Sequence, residues 1–125
     1  MIGLDTGDVI LLHKMMCKAM GGASGIRDMA ALEPAIYHSY AIFDGKDLYP
    51  SIEEKAGRQA YGIIRNHPSI DGNKRTGLFI MLVFLELNGI KLKSSQSELV
   101  RIVTRIASGG LEPSGLIRWI KKHSE

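Results

Sequence analysis

The segment from residue 67 to 79 combines a base, a carboxylate, a glycine turn and two cations directly before an apolar run. Residues 77–87 are apolar except for Glu86, so residues 73–88 are predicted to form a helix that is hydrophobic on all sides and therefore central and buried. Lys74 and Arg75 then fall in its first turn, where the macrodipole makes each added cation unfavourable by ~0.3–1 kcal/mol. An anion must compensate. Free backbone N–H groups after Gly72, beside these cations, predict a phosphate site.

The same segment supplies candidate catalytic groups. His67 precedes the phosphate-type loop, and a histidine suits a general base that accepts a proton from a substrate hydroxyl at neutral pH. Asp71 either satisfies the amides after it or serves as a magnesium ligand, because magnesium keeps several waters and takes phosphate oxygens. Asn73 either caps the helix or contacts phosphate oxygens, and Gly72 lets the backbone approach a ligand closely. The segment is not a Walker A motif, since the first glycine of that motif and the preceding strand are absent.

This loop resembles the signature of the Fic/Doc family, and specifically its Doc branch, in which a histidine, an acidic residue and an Asn-Lys-Arg step precede a buried helix. Sequence similar to Doc toxins also occurs at residues 21–28, 47–51, 54–56 and 84–89, so the resemblance covers about residues 4–121. It implies an all-α fold, a single-domain compact bundle of about six helices. It also implies that His67 and Asp71 are catalytic and that Asp71 holds the metal.

Lys74 distinguishes between two reactions of the family. In the branch that transfers adenylyl groups, a glycine usually fills this position and a second arginine stands where this chain has Leu78. The resemblance to Doc therefore implies phosphoryl transfer from ATP, with Mg²⁺, to a Ser or Thr hydroxyl of a protein, with elongation factor Tu as the target and translation arrest as the result.

The nucleotide-binding residues that this resemblance implies are Arg65, Gly72, Asn73, Lys74 and Arg75. Arg65 has a second interpretation as a solvent-facing cation near the C-terminus of a helix, where the dipole favours it.

Two alternatives stay open. One is an adenylyl or other nucleotidyl transferase on the same scaffold. The other is a catalytically attenuated relative that only binds its antitoxin, because Ser69 stands where the family usually has an aromatic side chain that fixes the loop. In either case the resemblance implies a cognate, Phd-like antitoxin, whose disordered tail folds on binding as an amphipathic helix and covers the approach to the loop.

The composition limits other functions. With 125 residues and 45% hydrophobic content, the chain is predicted to be one domain, residues 1–125, with a single core. Its longest apolar run is about half of the ~20 residues that a membrane span needs, and no leader is evident, so a cytoplasmic protein is expected. The net charge is +3, but the cations are scattered without interleaved aromatics, so no direct nucleic-acid binding is expected. Cys17 is interpreted as a buried thiol.

Apolar positions recur at helical spacing along most of the chain. After a first helix at 4–20, capped by Asp5 or Thr6, a short turn is expected from Asp28 to residue 32, and a second helix should begin at Pro34 and reach about residue 42. The remaining helices are predicted at 51–66, 73–88, 95–107 and 112–122. Residues 44–50 are expected to form an exposed loop, which corresponds to the family's flap beside the active site. The first residues and residues 90–92 are candidates for a minor strand pair. His13, His38 and His123 are interpreted as structural or exposed.

Overall fold

The computed structural model of this chain describes residues 1–22, 25–66 and 72–125. These residues form six α-helices, one short 3₁₀ turn and one two-stranded antiparallel hairpin. The helices are α1 (Thr6–Met20), α2 (Met29–Tyr37), α3 (Ile52–Asn66), α4 (Asn73–Leu87), α5 (Gln96–Ser108) and α6 (Pro113–His123). The 3₁₀ turn is His38–Tyr40, and the strands are β1 (Ile42–Phe43) and β2 (Lys46–Asp47). The predicted all-α fold is confirmed.

Helices α3 and α4 pack against each other at the centre of the fold. A side chain added at Gly77 would place its Cβ 2.6 Å from Cγ1 of Ile64 and 3.1 Å from the carbonyl oxygen of Ala60. Only glycine allows the two helix backbones to approach this closely. The predicted central helix is confirmed for one face of α4, while Phe79 and Leu87 on another face are exposed. The fully or nearly fully buried core side chains of α4 are Ile80, Met81, Phe84 and Leu85.

Three of the predicted helix starts are confirmed by their capping contacts. Asp5 accepts a hydrogen bond from the Asp8 backbone N–H at 2.8 Å, and Asp8 accepts one in return from the Asp5 backbone at 3.1 Å. Ser51 Oγ accepts from the Glu54 backbone N–H at 3.0 Å, and Ser95 caps α5 in the same way. Each contact satisfies a backbone donor that the helix itself cannot satisfy.

The predicted start of the second helix is wrong. Helix α2 begins at Met29, with Asp28 as its N-cap, and Pro34 lies inside it. Because proline has no backbone N–H, the helical hydrogen bond from residue 34 to the carbonyl of Ala30 is missing. Ala30 is exposed, so water can satisfy that carbonyl. The cap at Asp28 therefore determines where the helix starts, and the proline does not.

The segment predicted as a loop at residues 44–50 contains part of the hairpin. Ile42 pairs with Asp47 and Phe43 with Lys46 across a two-residue turn. Asp44 (φ 54°) and Gly45 (φ 75°) both adopt the left-handed region, which is the geometry of the tight hairpin turn that an Asp-Gly pair favours. The segment is exposed as predicted, and we call residues 42–47 the hairpin.

The partner predicted for residues 90–92 is also wrong. Leu92 forms an isolated antiparallel bridge with Ser124, and the Lys93 N–H donates to the His123 carbonyl at 2.8 Å. The first residues instead contact the end of α4, where Asn88 Oδ1 accepts from the Ile2 N–H at 2.7 Å.

Candidate functional site

The predicted loop is described only at its two edges. His67 and Asp71, the two predicted catalytic residues, lie outside the described residues, as does Ser69. Asn66, the last residue of α3, directly precedes His67 in sequence, and Gly72 directly follows Asp71. The structure therefore describes the end of α3, the start of α4 and the residues beneath them.

Gly72 begins the site. Its φ of 74° and ψ of 25° place it in the left-handed region immediately before α4, which a glycine adopts without a steric penalty. The Thr76 N–H donates to the Gly72 carbonyl at 2.8 Å and closes the first turn. Gly72 occupies the N-cap position, so the interpretation of Asn73 as the cap is wrong. The other interpretation of Asn73, contact with phosphate oxygens, stays a prediction.

Two cations stand in the first turn of α4, as the sequence predicted. No acidic residue accompanies them there. Lys74 is exposed, and Arg75 is half-buried with its Nη2 atom 3.6 Å from the position of a Cβ on Gly72, so its guanidinium group lies close to the glycine turn. Within the described ranges, neither forms an ion pair with a carboxylate. The described residues thus leave this turn strongly electropositive, because helix dipole and side chains have the same sign.

A buried histidine supports the glycine turn from beneath. His13 of α1 is completely buried, and its Nδ1 atom lies 2.7 Å from Oγ1 of Thr76. A Cβ on Gly72 would lie 3.8 Å from Cε1 of His13 and 3.2 Å from Cε of Met16. On the other side of the ring, Nε2 lies 3.6 Å from Sγ of Cys17. Since buried polar groups must be hydrogen-bonded, these contacts fix the ring against α4.

His13 was predicted only to be structural or exposed, and its place beneath the site was missed. One sequence signal could have identified it. It lies on the same face of α1 as the buried residues Val9 and Met16, and a histidine on an apolar helix face needs a polar partner from elsewhere in the chain. Cys17 is a buried thiol, as predicted.

Arg65 contacts another helix. Its Nη1 atom donates to the carbonyl oxygens of Ala107 at 3.1 Å and Ile106 at 3.4 Å, in the last turn of α5. A cation there satisfies carbonyls that the helix leaves without partners and complements the negative end of its dipole. This geometry favours the structural interpretation of Arg65, and its role in nucleotide binding stays a prediction.

Lys55 holds the hairpin to α3, a role that the sequence did not reveal. It is buried, and its Nζ atom lies 3.3 Å from Oδ2 of Asp47. The same ammonium group donates to the carbonyl oxygen of Tyr49. A buried ammonium requires such acceptors. These contacts hold the end of the hairpin at the first turn of α3, the helix whose last residue precedes His67 in sequence.

The described part of the chain contains neither a metal-ligand cluster nor a membrane-spanning helix. In residues 1–22, 25–66 and 72–125, no cluster of three or more His, Cys, Asp or Glu side chains could hold a metal ion. Asp71, the predicted magnesium ligand, is outside these ranges. Among the described helices, none is both long and apolar enough to cross a lipid bilayer.

These features define a small helical domain in which a glycine turn and two cations open a central helix. The sequence model of the Fic/DOC family matches residues 3–85, which include the loop and most of α4. The chain is also 36% identical over 89 residues to Toxin Doc of Mycolicibacterium smegmatis, an alignment that spans 71% of this chain and 66% of that protein. The chain belongs to the Fic/Doc family.

Proposed function

We propose that this protein is a Doc-type toxin that transfers the γ-phosphoryl group of ATP to a Ser or Thr hydroxyl of a target protein. By resemblance, the target is elongation factor Tu, and its modification arrests translation. The observation that carries the proposal is the glycine turn before α4, with Lys74 and Arg75 beside it and no carboxylate partner for either within the described ranges. The similarity to Toxin Doc supports the assignment to this branch.

The start of α4 fits the phosphates of a nucleotide. Its first backbone N–H groups, the exposed Lys74 ammonium and the Arg75 guanidinium all attract negative charge, and Gly72 has no side chain to obstruct a ligand. Lys74 supplies a point charge, whereas Arg75 can donate two parallel hydrogen bonds to one phosphate. The buried contact between His13 and Thr76 keeps this turn in place.

The chemistry assigned to the loop requires one base and one oriented hydroxyl. In the proposal, His67 takes the proton from the acceptor hydroxyl as its oxygen bonds to the γ-phosphorus, and the bond from that phosphorus to the β-phosphate oxygen breaks to release ADP. Lys74, Arg75 and the α4 amides stabilise the charge on the phosphate oxygens. Asp71 would hold Mg²⁺, which supplies further neutralisation of phosphate charge when bound.

Two positions favour phosphoryl over adenylyl transfer. Lys74 fills the place of a glycine in the adenylylating branch, and its exposed side chain adds a cation there. Leu78 stands where that branch has a second arginine, and it packs against the hydrophobic core instead. The two cations of α4 are thus both in its first turn.

An antitoxin segment is the proposed partner. A groove of about 300 Å³ runs between α1 and α4 and includes Leu11, Leu12, Val83 and Leu87 among its lining residues. Leu11 and Leu87 are exposed, so an amphipathic helix from a partner would bury them. Hydrogen exchange with and without the antitoxin tests this proposal. Protection along α1 and α4 supports it, and protection confined to α5 and α6 contradicts it.

ATP binding gives the first test of the site. Lys74→Ala should weaken ATP affinity by about 1–3 kcal/mol, because a charge-assisted contact to phosphate is lost. It should also raise the melting temperature slightly, since a cation leaves the positive end of a helix dipole. Lys14→Ala removes an equally exposed lysine from α1 and serves as the control. Calorimetry with ATP and magnesium, beside thermal melts, measures both effects; equal ATP affinity in the two variants would contradict the phosphate site.

The reaction itself is tested with radiolabelled ATP. Label at the γ-phosphate should enter the target protein, whereas label at the α-phosphate should not, and His67→Ala should abolish incorporation. Incorporation of the α-label would identify a nucleotidyl transferase. The absence of both labels, with antitoxin binding intact, would identify an attenuated relative.

A further inference from the structure

A cavity of about 150 Å³ lies between α2 and α3. Its described polar lining side chains are His38, Arg58, Tyr61, Arg65 and Asn66. Two of these are arginines, and none of the described lining residues is acidic or belongs to the glycine turn. The floor of the cavity is close-packed, because a Cβ added at Gly62 would lie only 2.8 Å from Cα of Ala35.

Of the two arginines that line the cavity, Arg58 is the one whose guanidinium group is available to a ligand. Its guanidinium carbon lies 5.9 Å from the centre of the Tyr49 ring and 5.7 Å from that of Tyr61. The two rings orient the group by cation–π contact. It forms no ion pair with a carboxylate in the part of the chain that the structure describes. Arg65, in contrast, already bonds to α5.

The surroundings of the cavity are electropositive. Burial, and secondarily the charge of Arg58, lower the pKa of His38 below its ordinary value. Among the described residues that line the cavity or contact His38, the other charged or titratable groups are Arg65 and the hydroxyls of Tyr49 and Tyr61, and the Tyr49 hydroxyl lies 3.1 Å from Nε2 of His38. A bound anion would stabilise the imidazolium form and raise this pKa.

The size and position of the cavity restrict its ligand. Cavities that hold drug-sized ligands measure roughly 300–1,000 Å³, so this one is too small for a nucleotide and suits a single carboxylate or phosphate group. At one end lies Asn66, the residue before His67 in sequence. At the other end, His38 and Arg58 contact Tyr49, which follows the hairpin. An extended polypeptide that passes the hairpin toward the end of α3 would pass this cavity.

We propose that the cavity is a subsite for an anionic group, a carboxylate or a phosphate, carried by the polypeptide substrate close to its acceptor hydroxyl. This inference rests on the proposed transfer to a protein hydroxyl. Arg58 donates to the anion, and His38 adds a donor on one side. On the other side, Asn66 Nδ2 donates one hydrogen to the Ala31 carbonyl at 3.1 Å and can donate its second hydrogen to the anion. The subsite would make the protein select acceptor hydroxyls that have a negative charge nearby in the sequence.

The test uses three serine-containing peptides that differ only at one residue beside the serine, which is glutamate, phosphoserine or glutamine. Each is titrated into the isotopically labelled full chain carrying His67→Ala, and the signals of the His38 ring and the Arg58 Nε–H are followed by NMR. We expect the glutamate or the phosphoserine peptide to bind about tenfold more tightly than the glutamine peptide, as a charge-assisted hydrogen bond predicts. The charged peptide that shows this preference identifies the anionic group as a carboxylate or a phosphate. The pKa of His38 should rise when that peptide saturates the protein.

Two arginine variants complete the test. Arg58→Gln should lose the preference for the charged peptide, whereas Arg101→Gln, which removes an exposed charge from α5, should retain it. Equal affinity of all three peptides, or a preference that survives Arg58→Gln, would overturn the proposal. So would Arg58→Gln lowering only the melting temperature, since Arg58 would then have only a structural role. The titration needs neither ATP nor transfer. A charge preference in this titration, combined with no phosphoryl transfer by the wild-type protein in the radiolabel assay, would refute the proposed function and leave the subsite standing.

Discussion

Thr76→Val tests whether the buried contact between α1 and α4 supports the phosphate-binding turn. Thr76 is 1% exposed and His13 is 0% exposed, and 2.7 Å separates Oγ1 of the first from Nδ1 of the second. Valine has almost the same shape as threonine, so no cavity forms, and both residues are β-branched, so helix propensity changes little. The variant therefore removes only the hydroxyl from the buried pair. Leaving a buried polar group without its partner costs about 1–3 kcal/mol.

The assay is urea unfolding of the wild-type protein, Thr76→Val, His13→Leu and the double variant. Because the two side chains contact each other, their effects should not add, and the coupling free energy should be about 1–2 kcal/mol. Thr104→Val is the matched control. Its hydroxyl is exposed and donates to the Val100 carbonyl of its own helix at 2.8 Å, so the free energy of unfolding should change by no more than about 0.5 kcal/mol.

The same variants should affect ATP binding. A Cβ on Gly72 would lie 3.8 Å from the His13 ring, so loosening this ring should lower ATP affinity in Thr76→Val and leave it unchanged in Thr104→Val. Equal unfolding free energies for Thr76→Val and Thr104→Val, or additive effects of Thr76→Val and His13→Leu, would show that the contact between His13 and Thr76 does not stabilise this turn.

Two further predictions concern the elements that position the site. Gly77→Ala should destabilise the protein by about 1–3 kcal/mol, because its Cβ would lie 2.6 Å from Cγ1 of Ile64. Gly7→Ala in the first turn of α1 should destabilise it much less, because its Cβ would meet a single exposed side-chain oxygen, Oδ1 of Asp5 at 3.3 Å, and no packed helix. Chemical denaturation that ranks the two variants equally would contradict the close approach of α3 and α4. Lys55→Met should free the hairpin, because the ion pair to Asp47 is lost, while most of α3 stays folded. Faster amide exchange confined to residues 42–49 would confirm this, and unchanged exchange there would refute it.

Local features of the fold could be predicted from the sequence, because their causes lie within a few residues. Asp5, Ser51 and Ser95 cap helices where their spacing predicted. The failures also have local explanations. Pro34 does not start α2, because the cap at Asp28 does and an exposed carbonyl tolerates a missing partner. Residues 44–50 are not all loop, because an Asp-Gly pair, here Asp44 and Gly45, favours a tight hairpin turn.

The contacts that support the candidate site could not be predicted in the same way. His13 and Thr76 are 63 positions apart in the chain, and Arg65 contacts a carbonyl 42 positions away. Periodicity indicates which face of a helix is buried but not which residue of another helix it meets. The glycine turn and its two cations were predicted because they adjoin in sequence, and the structure confirms their place at the start of α4.

The central claim, phosphoryl transfer with His67 as the base, is tested most directly by the intact mass of the target. Purified elongation factor Tu is incubated with ATP, magnesium and either the wild-type protein or His67→Ala, and its mass is measured. We expect the mass of the target to increase by one phosphoryl group with the wild-type protein and to stay unchanged with His67→Ala. A gain equal to an adenylyl group, or an equal phosphoryl gain with both proteins, would contradict the central claim.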